Sequence, residues 1–241
     1  RITTKQLKIH FLNVKASPVI SNLEVFNASN LLTEPVINRN VKGEVSITVS
    51  EKLVAVYYTL NGSIPTVNSN KYEGIFLVEK PTTLKVVAYD SETKKYSEIV
   101  SRDFDVSKKD WKIIQQNKKQ LENASNAIDD NSNTSYNIPK NNLKEIVVDL
   151  GNEYNLKGFT YLPMQSRWMS GVISKYKFYI SGNGKSWELV SEGEFGNIWN
   201  NPIEQKINFK SIKGKFIKLK AISTAKNSEN VAFGEVGVIT E

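Results

Sequence analysis

The stretch SKYKFYISGNGKSWEL, residues 174–189, contains the clearest folding signal in this chain. Aromatic and β-branched residues partly alternate with lysine and serine in its first half, which is the pattern of a half-buried β-strand. The pair Asn183-Gly184 follows, and it favours the positive backbone angles of a tight hairpin turn. Trp187 starts the next apolar run, and we expect its ring to lie in the core. The stretch therefore predicts an antiparallel hairpin.

Short runs of the same kind recur along the chain, and convincing helical periodicity is almost absent. They are EVSITVS, AVYYTL and LKVVAYD in the first half and EIVVDLG, GFTYLPM, KINFK, GKFIKLKAI and AFGEVGVIT in the second. Short strands separated by turn residues favour antiparallel sandwiches over parallel sheets. The polar stretch DVSKKDWKIIQQNKKQLENAS, residues 105–125, predicts the domain boundary and contains the one candidate for a short helix. We predict an all-β chain of two antiparallel β-sandwiches in tandem, residues 1–107 and 108–241.

The composition argues against several classes of protein. There is no cysteine among the 241 residues, which excludes disulfides and thiolate-bound metals. A run of about 18 apolar residues is missing, so no membrane span is expected. The net charge is +7, but the lysines are scattered among acidic residues, as on a solvated surface rather than a nucleic-acid interface. The first residues show neither a signal peptide nor an initiator Met, and we expect the chain to begin inside a longer polypeptide.

Residues suited to catalysis are scarce. The single histidine, His10, lies in KIHFLNV, where we expect a strand or interface residue. Without cysteine, neither a Cys-His pair nor a zinc site built from several His or Cys can form. A glycosidase needs only two carboxylates, but the alternating strands and helices of a catalytic barrel are missing. We therefore predict that this segment is not catalytic on its own.

Oxygen-bearing side chains recur at alternate positions in NAIDDNSNTSYNI, residues 126–138. They are Asp129, Asn131 and Asn133. The spacing is typical of a calcium loop, but an EF-hand is excluded because the required glycine and bidentate glutamate are missing at the sixth and twelfth positions. From these residues alone, an Asx-rich turn without metal remains the alternative.

The stretch YYTLNGSIPTVNSNKYEGIF, residues 57–76, resembles a small immunoglobulin-like domain. That domain is found at the C-terminal side of bacterial β-hexosaminidases and fucosidases, and its signature reads close to YYTLDGSxPT. Asn61 stands in place of the usual Asp. Upstream, ASPVISNLEVFNASNLLTEPVINRNVKGEVSI resembles, in its order, the segment that follows the catalytic barrel of family 29 α-L-fucosidases. The resemblance implies an immunoglobulin-like spacer whose catalytic domain lies upstream.

Five separated blocks resemble the discoidin-like domain, which is the coagulation factor V/VIII type C fold. The blocks are NAIDDNSNT, IVVDLG, SKYKFYISGNGKSWE, GKFIKLKA and FGEVGVI. In bacterial glycosidases this fold is known as the family 32 carbohydrate-binding module. The resemblance covers nearly all of residues 108–241 and implies a jelly roll. In the family, AIDGDxxT is a structural calcium loop closed by a glutamate near the C-terminus.

The resemblance assigns calcium ligands by position in residues 126–134, which we call the cation loop. The ligands are Asp129, Asn131, Thr134 and Glu235. Asp130 stands where the family often has glycine, and Asn131 stands where a second Asp is usual. Asp129 and Glu235 are therefore the anionic ligands. Sodium or an empty loop is the alternative to calcium, whereas magnesium is disfavoured because it demands tight octahedral geometry.

The resemblance also places a sugar site on loops at one end of the second sandwich. Sugars stack on aromatic faces, and planar polar groups address their hydroxyls. The loops MQSRWMSG and GNIWNNP carry such residues, and Tyr136 follows the cation loop. The candidate sugar contacts are Tyr136, Gln165, Arg167, Trp168, Trp199 and Asn200. Alternatively, Arg167 and Trp168 pack against the upstream barrel, and Trp199 closes the end of the core.

Together, the resemblances imply a C-terminal accessory region of a bacterial α-L-fucosidase. Its partners would be a galactose-type or fucosylated glycan and the upstream catalytic domain. Binding to nucleic acid and insertion into a membrane are not expected. An extracytoplasmic location, in the periplasm or at the cell surface, follows from where glycan substrates occur. Three alternatives stay open: domains that only brace the barrel, a different parent such as a β-hexosaminidase, and an adhesion protein binding lipid or collagen. Adhesion domains of this fold usually contain a disulfide, which this chain cannot form.

Overall fold

The computed structural model describes residues 6–12, 20–24, 32–51, 53–114 and 123–241. The chain divides into two compact units, Arg1–Leu31 and Leu32–Glu241. In the described parts of the first unit the side chains are exposed and the backbone is irregular, so the strand expected around His10 is not formed there. The second unit consists of antiparallel sheets, with short 3-10 turns at Ala124–Ala127 and Ala225–Asn227. The all-β prediction is confirmed.

The first sandwich of the second unit has two sheets. Its strands are β1 (Val36–Arg39), β2 (Glu44–Thr48), β3 (Ala55–Thr59), β4 (Asn70–Lys71), β5 (Phe76–Leu77), β6 (Thr82–Asp90), β7 (Lys95–Tyr96) and β8 (Val100–Phe104). One sheet has the order β1-β2-β5, and the other has the order β4-β3-β6-β7 with β8 also paired to β6. Alternate residues point inward, so that Val45 and Ile47 of one sheet share a core with Val56, Leu84 and Val86 of the other.

The second sandwich is larger. Its strands are β9 (Lys112–Ile113), β10 (Tyr136–Ile138), β11 (Glu145–Leu162), β12 (Ile173–Ser181), β13 (Glu188–Glu194), β14 (Gln205–Thr224), β15 (Val231–Phe233) and β16 (Glu235–Thr240). The main sheet has the order β13-β12-β14-β11-β16 with β9 paired to β11, and β10 pairs with β15. Its core is rich in aromatic residues, and the rings of Phe159 and Phe178 stack with centroids 4.1 Å apart.

The longest strands, β11 and β14, each contain two runs that the sequence pattern separates. Their pairing register shifts between Asp149 and Tyr154, which indicates a bulge. Bulges bend a strand while its pairing continues on both sides. Gly214, paired with Tyr154, lies at this bend, where an added Cβ would be 2.2 Å from Ile180 Cγ2. The strands continue around the bend because no side chain occupies that position.

The hairpin expected at Asn183-Gly184 is present between β12 and β13. Its connection, residues 182–187, is longer than a two-residue turn, and of the pair only Gly184 has a positive φ, 70°. Asn183 instead stabilises the turn through its side chain. Its Oδ1 accepts hydrogen bonds from the backbone N–H groups of Lys185 and Ser186, at 2.8 and 2.9 Å. Trp187 is half-buried, with Lys218 Nζ 4.2 Å from its ring centroid.

The segment between the sandwiches is held on both sides. The carboxylate of Asp105 accepts from the Thr240 N–H at 3.0 Å and from the Thr240 hydroxyl at 2.9 Å. Val106 is buried in the second core, while Ser107 N–H donates to Glu79 O of the first sandwich at 3.2 Å. The two sandwiches therefore share a fixed junction within one compact unit.

The short helix expected in residues 105–125 is not found in the described part of that stretch. Lys112–Ile113 pairs with β11 as strand β9, and Ala124–Ala127 forms a single 3-10 turn. Residues 115–122 lie outside the described residues. At Lys112–Ile113, pairing with a neighbouring strand decides the local structure.

Candidate functional site

Three loops meet at one end of the second sandwich, and they are the loops that follow β11, β13 and β14. The Gln165 side-chain amide in the first loop donates to Pro202 O in the second at 2.7 Å. Ser170 Oγ in the first loop donates to Asn230 Oδ1 in the third at 2.7 Å. We call this surface the loop end. These bonds hold its loops in fixed relative positions.

Trp168 is the most exposed large aromatic residue at the loop end, with 81% of its surface open to solvent. Its backbone N–H donates to Ser166 Oγ at 3.2 Å, and the next residue, Met169, packs against the core. The Arg167 guanidinium lies 5.4 Å from the centroid of its ring. The exposed indole of Trp168 lies beside a cation, and its loop is anchored to the core by Met169. This arrangement is suited to stacking on the apolar face of a ring-shaped ligand.

Trp199 and Asn200 lie in the neighbouring loop, and their side chains make more contacts with other residues of the chain than Trp168 does. Trp199 is partly buried against the core, and Lys226 Nζ lies 4.1 Å from its ring centroid. Asn200 is exposed, and its amide donates to Asn197 Oδ1 at 2.8 Å. The Lys226 ammonium therefore covers ring surface that a sugar would need in order to stack on Trp199.

Tyr136 is separated from solvent. Only 2% of its surface is exposed, because it lies in β10 opposite Phe233 of β15, with the ring centroids 6.2 Å apart. A ring in this position contributes to the core and offers no open face, and we leave it out of the candidate sugar site.

The cation loop gathers oxygen atoms around one hydroxyl. Thr134 Oγ1 lies 3.0 and 2.9 Å from the two carboxylate oxygens of Asp129. The same hydroxyl lies 2.9 Å from Asn131 O and 3.5 Å from Asn126 O. Asn131 N–H donates to Asp129 Oδ1 at 2.9 Å and to Glu235 Oε1 at 3.2 Å. Glu235, more than a hundred residues away in the chain, thus closes the loop.

The conformation of the cation loop accounts for the two residues that differ from the family pattern, Asp130 and Asn131. Asp130 has a φ of 57°, in the left-handed region that glycine favours and that Asp tolerates. The Asn131 side chain accepts from Asn133 N–H at 3.1 Å, so Asn131 enters the oxygen cluster through its carbonyl.

Lys108 lies against the outer side of the cation loop. Its Nζ is 2.5 Å from Glu235 Oε2 and 2.7 Å from Asp130 Oδ1, and its side chain is 8% exposed. Asp130 Oδ2 is buried and has no hydrogen-bond partner among the described residues. A buried ammonium thus neutralises carboxylates at this point.

Two opposing effects act on Glu235. Burial raises the pKa of Glu235 to about 8, with Asp129 and Asp130 acting in the same direction, whereas Lys108 lowers it. The Lys108 ammonium, which contacts Glu235 Oε2, favours the ionised carboxylate, because a neighbouring positive charge stabilises it.

The oxygens of the cation loop fit a hard cation. Calcium takes 6 to 8 oxygen ligands and accepts carboxylates, carbonyls and hydroxyls in irregular geometry. Asp129, Thr134 and Glu235 would hold it through side chains, and Asn126 and Asn131 through carbonyls. Within the described ranges no group of three or more His, Cys, Asp or Glu side chains is placed to hold a metal ion. Binding would therefore depend on the carbonyl and hydroxyl oxygens as well.

A cleft of about 540 Å³ separates the two sandwiches beside the junction. Arg39 lines it from the first sandwich, donating to Asp105 O at 2.6 Å with its guanidinium 4.6 Å from the ring centroid of Phe104. Burial lowers the pKa of Arg39, and nearby carboxylates oppose this. Trp111 lines the other side, and its Nε1 has no partner among the described residues. The cleft also adjoins the cation loop, since Lys108, Asp130 and Glu235 line it as well.

Comparison with protein families defines the class of this chain. Residues 112–236, more than half of it, match the model of the F5/8 type C domain, and the chain belongs to that family. Residues 38–101 match the model of the chitobiase/beta-hexosaminidase C-terminal domain. Comparison with curated proteins found no match. No helix among the described residues is long and apolar enough to cross a membrane.

Several solved structures are similar to part of the chain. One is a family 32 module of a family 89 glycoside hydrolase from Clostridium perfringens in complex with GalNAc-β-1,3-galactose, with 24% identity over 54% of this chain and 96% of that chain (TM-score 0.46). Another is a family 32 module from C. perfringens in complex with galactose, with 25% identity over 53% and 90% (TM-score 0.44). A third is the C-terminal domain of a chitobiase from Bacteroides fragilis, with 25% identity over 56% and 97% (TM-score 0.46).

Sequence reasoning missed the lysines of both sites. Lys108 contacts the cation loop, whereas the adjacent Lys109 is exposed and pairs with Glu79 at 2.5 Å. No local pattern separates the two, although Lys108 lies between the buried residues Val106 and Trp111. Nothing in the sequence around Lys226 indicates that it lies over a tryptophan ring.

Proposed function

We propose that this chain is the non-catalytic C-terminal part of a glycoside hydrolase and that its loop end binds carbohydrate. The observation that carries the proposal is the 81% exposure of Trp168 on an anchored loop of an F5/8 type C domain. Weak binding by a tethered module raises the concentration of substrate near a catalytic domain in the same polypeptide. The chain would thus direct hydrolysis to glycan-rich surfaces.

The loop end supports recognition of galactose-type or fucosylated glycans through stacking and a few polar contacts. Trp168 supplies the aromatic face, and Arg167 supplies donors beside it. The Gln165 amide nitrogen already donates to Pro163 O and Pro202 O, so its carbonyl oxygen is the group that it can offer to a ligand. Asn200 adds an exposed amide at the rim.

Titration of the whole chain with sugars tests this proposal. The panel contains galactose, GalNAc-β-1,3-galactose, N-acetylglucosamine and fucosylated oligosaccharides. We expect Trp168→Ala to weaken binding at least about tenfold, because it removes the stacking surface at the centre of the site. Trp187→Ala is the matched control, since Trp187 lies in the β12–β13 connection beneath Lys218. The proposal fails if the wild type binds no sugar on the panel, or if both variants bind it equally well.

We propose an α-L-fucosidase as the parent enzyme, with a β-hexosaminidase as the alternative. The resemblance of the sequence upstream of β3 to the segment that follows a fucosidase barrel supports the fucosidase. Residues 38–101 match the chitobiase/beta-hexosaminidase C-terminal domain, which supports the alternative. Assay of the full-length polypeptide on aryl α-L-fucosides and aryl N-acetyl-β-hexosaminides separates the two. An extracytoplasmic location is part of the same proposal, and cell fractionation with an antibody to this chain tests it.

A structural role is the second candidate. The exposure of Trp168 beside Arg167 would equally suit packing against a catalytic domain of the same polypeptide. In that case Trp168→Ala would lower the melting temperature of the full-length enzyme without changing the glycan affinity of the isolated chain.

We further propose that the cation loop binds calcium as a structural ion. Support comes from the carboxylate, carbonyl and hydroxyl oxygens around Thr134 and from closure of the loop by Glu235. A ligand that binds only the folded state raises the melting temperature with its concentration. Calcium should therefore raise the melting temperature of the chelated protein and magnesium should not, whereas an equal response to both ions would contradict the assignment.

A further inference from the structure

The two oxygens of Glu235 are divided between the cation loop and Lys108. Oε1 accepts from Asn131 N–H at 3.2 Å inside the loop, and Oε2 contacts Lys108 Nζ at 2.5 Å on the outer side. Asp130 contacts Lys108 through one oxygen, since its Oδ1 lies 2.7 Å from Lys108 Nζ. A cation held in the loop and the Lys108 ammonium would thus repel each other across one carboxylate.

The backbone around Lys108 is held by contacts outside the cation loop. Val106, two residues earlier, is buried in the second core, and Ser107 N–H bonds to Glu79 O of the first sandwich. The backbone N–H of Trp111 donates to Lys108 O at 3.0 Å, and the centroid of the indole ring lies 5.7 Å from Lys108 Nζ. The backbone that carries Lys108 is therefore positioned beside the cation loop independently of the loop's own hydrogen bonds.

We propose that Lys108 is a built-in counterion that holds the cation loop folded without calcium and weakens the binding of calcium to it. The inference rests on the calcium site proposed above. Removal of the ammonium has two consequences: the metal-free protein loses stability, and calcium binds more tightly. A lysine with only a structural role would give the first consequence without the second.

Lys108→Met in the whole chain tests both consequences. In the presence of a chelator we expect its melting temperature to fall by about 5–10 °C, because loss of one partner leaves buried carboxylates uncompensated. Calorimetric titration with calcium should give a Kd about tenfold lower than that of the wild type. Calcium should accordingly raise the melting temperature of Lys108→Met more than that of the wild type.

Two variants control for the net charge of the chain and for the charge at position 108. Lys109→Met removes one charge from the adjacent position, where the lysine is about half exposed, and should leave both the melting temperature and the calcium Kd unchanged. Lys108→Arg keeps a positive charge beside Glu235 and should bind calcium with the wild-type Kd.

The outcomes decide the proposal. If Lys108→Met is folded only in the presence of calcium, the counterion role is supported in its strongest form. If Lys108→Met and Lys109→Met bind calcium equally tightly, or if no variant binds calcium, the inference is overturned. Sugar titration of the same proteins is a separate readout, so failure of carbohydrate binding is distinguished from failure of the counterion.

Discussion

Tyr161 shows how a single polar atom is accommodated inside the second sandwich. The side chain is fully buried, and its hydroxyl donates to Ala232 O at 3.0 Å while it accepts from Ile173 N–H at 3.1 Å. It thus joins β11 to the start of β12 and to β15. Burial raises the pKa of Tyr161, because a phenolate there would lose its hydration.

Tyr161→Phe should lower the free energy of unfolding by about 1–3 kcal/mol at neutral pH, because two buried backbone groups lose their partner. The wild-type pKa is higher in the folded than in the unfolded state, so stability is complete below about pH 10 and falls as the pH rises further. Phenylalanine does not ionise, and the difference between the two proteins should therefore shrink above that pH. Urea unfolding at neutral and alkaline pH measures it.

Tyr96→Phe is the matched control for this substitution, since Tyr96 is 43% exposed. It should unfold like the wild type at neutral pH. A stability difference for Tyr161→Phe that stayed constant from neutral to strongly alkaline pH would contradict the argument.

The residue scale is also where sequence reasoning reaches its limit. Tyr136, Trp168 and Trp199 are similar amphipathic aromatics, yet one is buried in a strand, one is open and one lies under a lysine. The difference comes from partners distant in sequence, such as Phe233 and Lys226. The oxygen-bearing residues of the cation loop are contiguous, and their convergence could be predicted because short Asx side chains act locally.

At the level of elements, alternation of apolar and polar residues predicted the strands well. Apart from the strand expected around His10, each run identified from the sequence falls within an assigned strand or at its edge. The pattern could not show that two runs belong to one bent strand, as in β11 and β14, because a bulge depends on the strand across from it. It also could not set the length of the hairpin connection, where the Asn183 side chain replaces a turn hydrogen bond.

Gly214→Ala tests the bend in β14. The added methyl group would lie 2.2 Å from Ile180 Cγ2 in the core, and relief of this overlap should cost about 1–3 kcal/mol of stability. Gly182→Ala is the matched control, since nothing lies within 4 Å of its added Cβ. Denaturant unfolding compares the two, and equal stability would show that the bend relaxes freely.

At the level of the whole molecule, the junction depends on Asp105. Asp105→Ala removes the acceptor for both the N–H and the hydroxyl of Thr240, which is 5% exposed. We expect a loss of about 1.5–3 kcal/mol, since hydrogen bonds to a charged group are involved. Asp103→Ala, at a nearby exposed position that contacts Thr83, should change stability much less. Calorimetry of both variants checks this, and matching losses would refute a special role for Asp105.

Strand β13 is one of the two edge strands of the large sheet, and its side chains affect how copies of the domain meet at that edge. Its exposed side chains include Glu188, Glu192 and Glu194, and on its inner neighbour Lys177 pairs with Glu192 at 2.9 Å. Charged side chains along an edge strand oppose its pairing with a second copy of the domain. The β13 edge is therefore a poor template for an intermolecular sheet at high protein density.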